Sequence, residues 1–284
     1  MTRFSANLSL LFTEAPFLER FAAAREAGFA LVECQCPYGV PHEEIARQLR
    51  RTGAEMVAFA LPGGRGWEGE RGVACLPDRR EEFCHGVDLA LSYAGGTGCR
   101  TLICLPGRRP PGLDHAAAWN TLLENVAYAA DRCAEHGVAL LVQPLNPVDA
   151  PGCPLPGVSD TLRLLDDLDG PGAPGGAPTA GVCFDAYHVQ RAEGDVTARL
   201  AAAFDRVGHV RIADSPGRHQ PGTGELNYGF LLEELDRLGY GGAVGLAYRP
   251  EPTTEESLRQ LRSTLLAPDT PGAPDVQDKE RAGL

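Results

Sequence analysis

Two stretches of the chain gather side chains capable of moving protons or binding oxyanions. The first, FDAYH at Phe184 to His188, sets a carboxylate and an imidazole three residues apart behind an apolar run. An imidazole near a carboxylate suits general acid and base work, because the carboxylate fixes one tautomer and raises the imidazole pKa towards working pH. The second, HVRIADSPGRHQPGTGELNY from His209 to Tyr228, is an alternating run that ends on Arg211 and Asp214. It then breaks into a loop with Pro216, Gly217, Pro221, Gly222 and Gly224. A strand that delivers polar side chains into an irregular loop is where α/β proteins usually place their chemistry.

Each residue also has a plainer reading. Asp185 at a strand end can simply cap the next turn through backbone amides. His188 can be a satisfied structural histidine, and Glu70 and Arg71 can pair on a solvated loop. Cys34 and Cys36 read as buried small residues, since nothing adjacent lowers a thiol pKa.

The elements that must position these groups follow from periodicity. Strand signals fall at Arg3–Leu8, Phe29–Cys34, Met56–Leu61, Arg100–Leu105, Val138–Gln143, Ala180–Phe184, Val207–Ile212 and Ala243–Ala247. Helical spacing falls at Glu14–Ala27, Pro41–Thr52, Arg79–Ala94, Asp114–Glu135, Ser159–Leu168, Asp195–Phe204, Tyr228–Leu238 and Thr253–Leu265. VALLVQ is the continuous apolar run of a strand buried on both faces. Strand–helix alternation of this regularity predicts a parallel sheet with right-handed crossovers, closed as a (β/α)8 barrel in a single domain over residues 1–266. The rival is a doubly wound open sheet, which the lack of GxGxxG after the first strand disfavours. Disorder is expected in the Gly- and Pro-rich segment 170–178 and in the tail at 267–284.

In such a barrel the site lies at the C-terminal strand ends. Those ends carry Asn7, Glu33, Gln143, Asp185 with Tyr187 and His188, Arg211 with Asp214, and Ala247 with Tyr248. The long loop at 62–77 adds Glu70 and Arg71.

Composition narrows the partners. Lys plus Arg number 26 against 38 for Asp plus Glu, a net charge of -12 that disfavours nucleic acid. Nine cysteines without a CxxC pair read as reduced thiols. No window approaches 18 consecutive apolar residues, and Met-Thr-Arg-Phe-Ser lacks the pattern of a signal peptide. The expectation is a cytoplasmic protein with a small-molecule substrate and no membrane partner.

Seven ordered blocks resemble the hydroxypyruvate isomerase family of xylose isomerase-like barrels. They are RFSANLSLLF, VECQCPY, GERGVACLP, QPLN, FDAYHVQRAEGD, GHVRIADSPGR and PGTGELNY, within residues 3–262. The resemblance implies isomerisation of hydroxypyruvate through an enediolate. It also implies a divalent metal held by two glutamates, an aspartate and a glutamine or histidine at the ends of the last four strands. The chain departs from that pattern: family EPIN, HIQIAD and GLEY stand here as Gln143-Pro144-Leu145-Asn146, HVRIAD and Gly245-Leu246-Ala247-Tyr248. Of the four implied ligands Asp185 survives, Gln143 keeps only a neutral carbonyl, Ala247 offers nothing, and Arg211 adds a cation.

No metal and no other cofactor is therefore expected. Arg211 is expected to pair with Asp185, or to bind a substrate carboxylate or enolate oxygen. The expected catalytic groups are His188, Arg211 and Asp185. Gln143, Glu70, Arg71, Arg218, Tyr187 and Tyr248 are expected to contact substrate, several of them at positions resembling family substrate contacts. The function expected is metal-independent isomerisation, epimerisation or a related proton-transfer or lyase reaction on a small carbonyl or carboxylate compound. The alternative is a non-catalytic relative that binds a metabolite or a partner. Barrels of this family often self-associate, which leaves a homo-oligomer open.

Overall fold

The computed structural model describes residues 2–65, 69–170 and 180–262. Eight parallel strands close into a barrel in sequence order: β1 (Arg3–Asn7), β2 (Leu31–Cys34), β3 (Glu55–Ala60), β4 (Thr101–Cys104), β5 (Ala139–Val142), β6 (Gly181–Asp185), β7 (Val207–Ile212) and β8 (Ala243–Leu246). The seam pairs Ser5 with Gly245 and Ala6 with Leu246.

The helices are α1 (Arg20–Glu26), α2 (His42–Thr52), α3 (Arg80–Thr97), α4 (His115–Glu135), α5 (Val158–Leu168), α6 (Ala186–Ala192), α7 (Val196–Ala203), α8 (Tyr228–Leu238) and α9 (Thr254–Leu261). In α2, Glu43 and Glu44 lie in the first turn and Arg50 and Arg51 in the last, complementing the helix dipole, while Ile45, Ala46 and Leu49 are buried. The Asp114 side chain caps α4 by accepting from Ala117 N at 3.0 Å.

Three helix expectations are corrected. The first helix enters through a 3-10 turn at Phe17–Glu19, because Pro16, at φ -55° and ψ 147°, stands outside helical geometry just before it. Helix α3 runs past Gly95 and Gly96 and stops at left-handed Gly98. Helix α6 starts directly on the end of β6 with no intervening loop, an element the periodicity did not reveal. The end of the last expected helix, 263–265, and both segments expected to be disordered apart from Gly170 lie outside the described residues. No helix among the described residues is long and apolar enough to cross a membrane.

The apolar core divides in two. The larger part lies between barrel and helices, with Phe21, Ile45, Leu102, Phe184 and Val210 among its members. The smaller joins Ala58, Ala60, Ile103, Leu105, Leu141, Leu145, Ala150 and Cys183. Strand alternation assigns Ala58, Ala60, Ile103, Leu141 and Cys183 of this set to the barrel interior, on β3 to β6. The same alternation aims Asn7, Glu33, Gln143, Asp185, His209 and Arg211 inward, so the polar groups come from β1, β2 and β7 and from the C-terminal ends of β5 and β6.

Candidate active site

The polar cluster is assembled by two register irregularities. Pairing of β2 with β3 shifts between Val32 and Glu33, and pairing of β6 with β7 shifts between Val182 and Cys183. Such shifts re-aim the side chains that follow them. Beyond the second shift, Asp185 stands directly opposite Arg211.

Asp185 is fully buried and has two jobs. Its Oδ1 caps α6, accepting from Tyr187 N at 3.1 Å and His188 N at 3.3 Å. The local-cap reading is therefore correct for one oxygen. The other, Oδ2, accepts from Gln143 Nε2 at 3.3 Å and lies 3.6 Å from Arg218 Nη2 and 3.9 Å from His188 Nε2. Burial pushes the Asp185 carboxyl up, and the charges of Arg218 and Arg211 only partly offset it.

His188 is fixed as one tautomer. Its Nδ1 faces Asn146 N at 3.1 Å and Asn146 Nδ2 at 2.8 Å. A ring nitrogen that meets a backbone N–H must accept, so the neutral ring carries its proton on Nε2. That Nε2 has no hydrogen-bond partner among the described residues. The expected upward pKa shift is overturned: burial drives His188 well below its ordinary value, and Arg218, Arg71 and Arg211 push the same way. His188 is thus a neutral donor near pH 7.

The expected Arg211–Asp185 pair is also corrected. Arg211 Nε lies 2.9 Å from Glu33 Oε1, and Nη1 donates to Gln143 Oε1 at 2.8 Å. Arg211 Nη2 has no hydrogen-bond partner among the described residues, and Nε meets Glu33 as an ion pair without hydrogen-bond geometry. Gln143 bridges the two expected partners, accepting from Arg211 and donating to Asp185. Glu33 also receives Asn7 Nδ2 at 2.7 Å and meets His209 Nε2 at 2.5 Å. Burial favours its neutral form, but Arg211, His209 and Asn7 outweigh that and hold its pKa at about 2.

The loop residues divide. Arg218 lies 5.0 Å over the Tyr187 ring and 3.7 Å from Asp149 Oδ2, and the Tyr187 hydroxyl donates to Asp149 Oδ1 at 3.1 Å. Arg71 is buried at φ 53°, with its carbonyl accepting from Gly107 N at 3.0 Å. A Cβ on Gly72, at φ 108°, would stand 2.1 Å from Leu105 O, so glycine is what lets this loop dock.

Glu70 and Tyr248 are not brought to this cluster. Glu70 Oε1 pairs with Arg79 Nη1 at 2.7 Å on the outer loop. Tyr248 packs in the core between barrel and helices, with its hydroxyl 3.0 Å from Ser257 Oγ on α9. Asp214 organises the loop after β7 by accepting from Gly222 N at 2.8 Å and from Thr223 N and Leu226 N at 3.1 Å. Asn146, Asp149 and the linked set Asn7, Glu33 and His209 are the contributors that strand-end reading did not connect.

The residues do not fit the divalent cation that the resemblance implies. The Gln143 carbonyl is already turned to a guanidinium, and Ala247 has no donor atom. No group of three or more His, Cys, Asp or Glu among the described residues is placed to hold a metal. One carboxylate beside a fixed cation does not supply the charge that offsets dehydration of such an ion. All nine cysteines are free, and burial raises the Cys183 thiol inside the barrel to about 12.

A family profile for xylose isomerase-like TIM barrels matches residues 21–264. Hydroxypyruvate isomerase from Escherichia coli is 41% identical over 261 residues, covering 92% of this chain and 98% of that protein. A 2-oxo-tetronate isomerase from Pectobacterium atrosepticum is 38% identical, covering 91% and 96%. Among solved structures, a protein described as AP endonuclease, family 2, from Brucella melitensis superposes with a TM-score of 0.86 at 41% identity. That match covers 93% of this chain and 99% of the other.

Proposed function

The chain belongs to the xylose isomerase-like TIM barrel family, among relatives of hydroxypyruvate isomerase type, and from that membership we propose that it is an isomerase-like enzyme working without a metal. Its substrate is a small carbonyl compound that bears a carboxylate or hydroxyl group, of the kind named for the hydroxypyruvate and 2-oxo-tetronate isomerases. The reaction is isomerisation, epimerisation or a related proton transfer next to the carbonyl. Nucleic acid is a poor candidate ligand for a chain of net charge -12.

The carrying observation is that buried N–H groups in the cluster around Asp185, Arg211 Nη2 and His188 Nε2 among them, have no hydrogen-bond partner among the described residues. Both carry N–H, so both suit an oxygen that gains negative charge. Proton removal beside the carbonyl sends the electron pair onto that oxygen, where Arg211 and His188 hold the enediolate. Asp185 Oδ2 takes the proton in its carboxylate form and returns it to the neighbouring carbon, while the substrate hydroxyl proton passes from one enediolate oxygen to the other. Desolvation raises its basicity for that task.

The closed, mutually bonded state of the cluster favours a second reading, a relative that binds a metabolite or a partner without turnover. One assay decides. Hydroxypyruvate and 2-oxotetronate are offered to the protein in EDTA and then with Mg2+ or Mn2+. Turnover in EDTA supports the enzyme, and turnover only with metal overturns metal independence. Binding without turnover supports the second reading.

A further inference from the structure

We propose that Glu33 is the positioning residue of this site: it holds Arg211 so that the guanidinium presents Nη2, and no other nitrogen, to an oxyanionic ligand. The inference rests on reading Arg211 as the group that meets the ligand.

The geometry assigns each guanidinium nitrogen. Nε makes an ion pair with Glu33 Oε1 at 2.9 Å without hydrogen-bond geometry, Nη1 donates to Gln143 Oε1 at 2.8 Å, and Nη2 has no hydrogen-bond partner among the described residues. A planar fork held at two nitrogens has no freedom left at the third. Glu33 is itself held from two sides, by Asn7 Nδ2 at 2.7 Å and His209 Nε2 at 2.5 Å. These partners come from β1 and β7, so two strands besides its own fix one carboxylate.

The surrounding backbone makes room for Glu33. A Cβ on Gly245 would stand 2.5 Å from Glu33 Oε2, so β8 runs past the carboxylate without a side chain. The register shift between Val32 and Glu33 lies just before the carboxylate. Glu33 also supplies the negative charge that lets a guanidinium sit at full burial, since Gln143 is neutral. Glu33 therefore acts on the ligand only through Arg211.

The test uses oxalate, a small planar dianion, titrated calorimetrically into the full chain in EDTA. Wild type is expected to bind, and Glu33→Gln and Glu33→Asp are each expected to weaken binding tenfold or more. The first removes the charge and the second keeps it but shortens the reach, so a folding failure of one leaves the other to decide. Arg211→Gln is expected to weaken binding similarly, and Glu33→Gln to add nothing in that background. A merely structural Glu33 gives additive losses instead. Additive losses, unchanged affinity in both Glu33 variants, or no oxalate binding by wild type overturn the proposal. Failure to turn over hydroxypyruvate would end the enzymatic reading alone, because calorimetry needs no turnover.

Discussion

Arg211 on β7 and Glu33 on β2 form an ion pair inside the barrel, Nε to Oε1 at 2.9 Å, with both side chains fully buried. Such a pair stabilises little against apolar replacement, but removal of one partner strands the other charge.

Replacing Glu33 by Leu is therefore expected to cost about 3–5 kcal/mol, read from urea unfolding at neutral pH. The double variant Glu33→Leu with Arg211→Met is expected to recover much of that loss. Full additivity of the two single losses would show that the charges do not act as a pair.

The carboxylates pull stability in opposite directions with pH. Glu33 has a folded pKa of about 2 against an ordinary 4.5, so its contribution is present above 4.5 and is lost as pH falls towards 2. Asp185 is raised above 3.8, so its contribution is complete below that value and is lost as pH rises through the folded pKa. Asp185→Asn is expected to remove the second loss, with a higher urea midpoint than wild type at neutral pH. A lower midpoint would contradict it.

His188 resists protonation in the native state, while the unfolded chain takes up a proton near the ordinary 6.5. Stability is expected to fall as pH drops below that value, less so in His188→Gln. Nitrogen-15 NMR should show the Nε2–H tautomer at neutral pH and below 6.5. An imidazolium signal there would refute the assignment.

Tyr248→Phe removes a hydroxyl contact with Ser257 far from the polar cluster. The expected effect is about 1 kcal/mol of stability with unchanged oxalate affinity. Glu70→Gln, which loses a partly exposed pair with Arg79, is expected to cost at most about 1 kcal/mol and also to leave affinity unchanged. A tenfold affinity loss in either variant would return that residue to the site.

The barrel was legible because each strand and most helices announce themselves locally. Val207–Ile212 and Tyr228–Leu238 are found at their expected bounds. Arg211 was legible as a group facing the site, because alternation along β7 sets its direction. Its partner was not, since Glu33 and β7 are separated by 176 residues at His209 and meet only when the barrel closes. Tyr248 follows the end of β8, where alternation no longer fixes direction, and it turns outward to α9. The sign of the His188 shift was illegible for a different reason. It depends on three arginines from separate elements and on burial, and only Asp185 is its sequence neighbour.

The wall that β8 contributes to the interior carries no functional side-chain atom, with Ala243 and Gly245 at its alternating positions. Every strand that supplies polar groups is committed to a hydrogen bond there, so β8 is the free attachment point of the scaffold. A carboxylate introduced at Ala247, with Gln143→Glu and Arg211→Gln, would add anionic oxygens beside Asp185 but leave the buried Glu33 charge without its partner. A cation site at this end of the barrel would therefore need a fourth change, at Glu33, because Arg211 is the buried partner of that carboxylate.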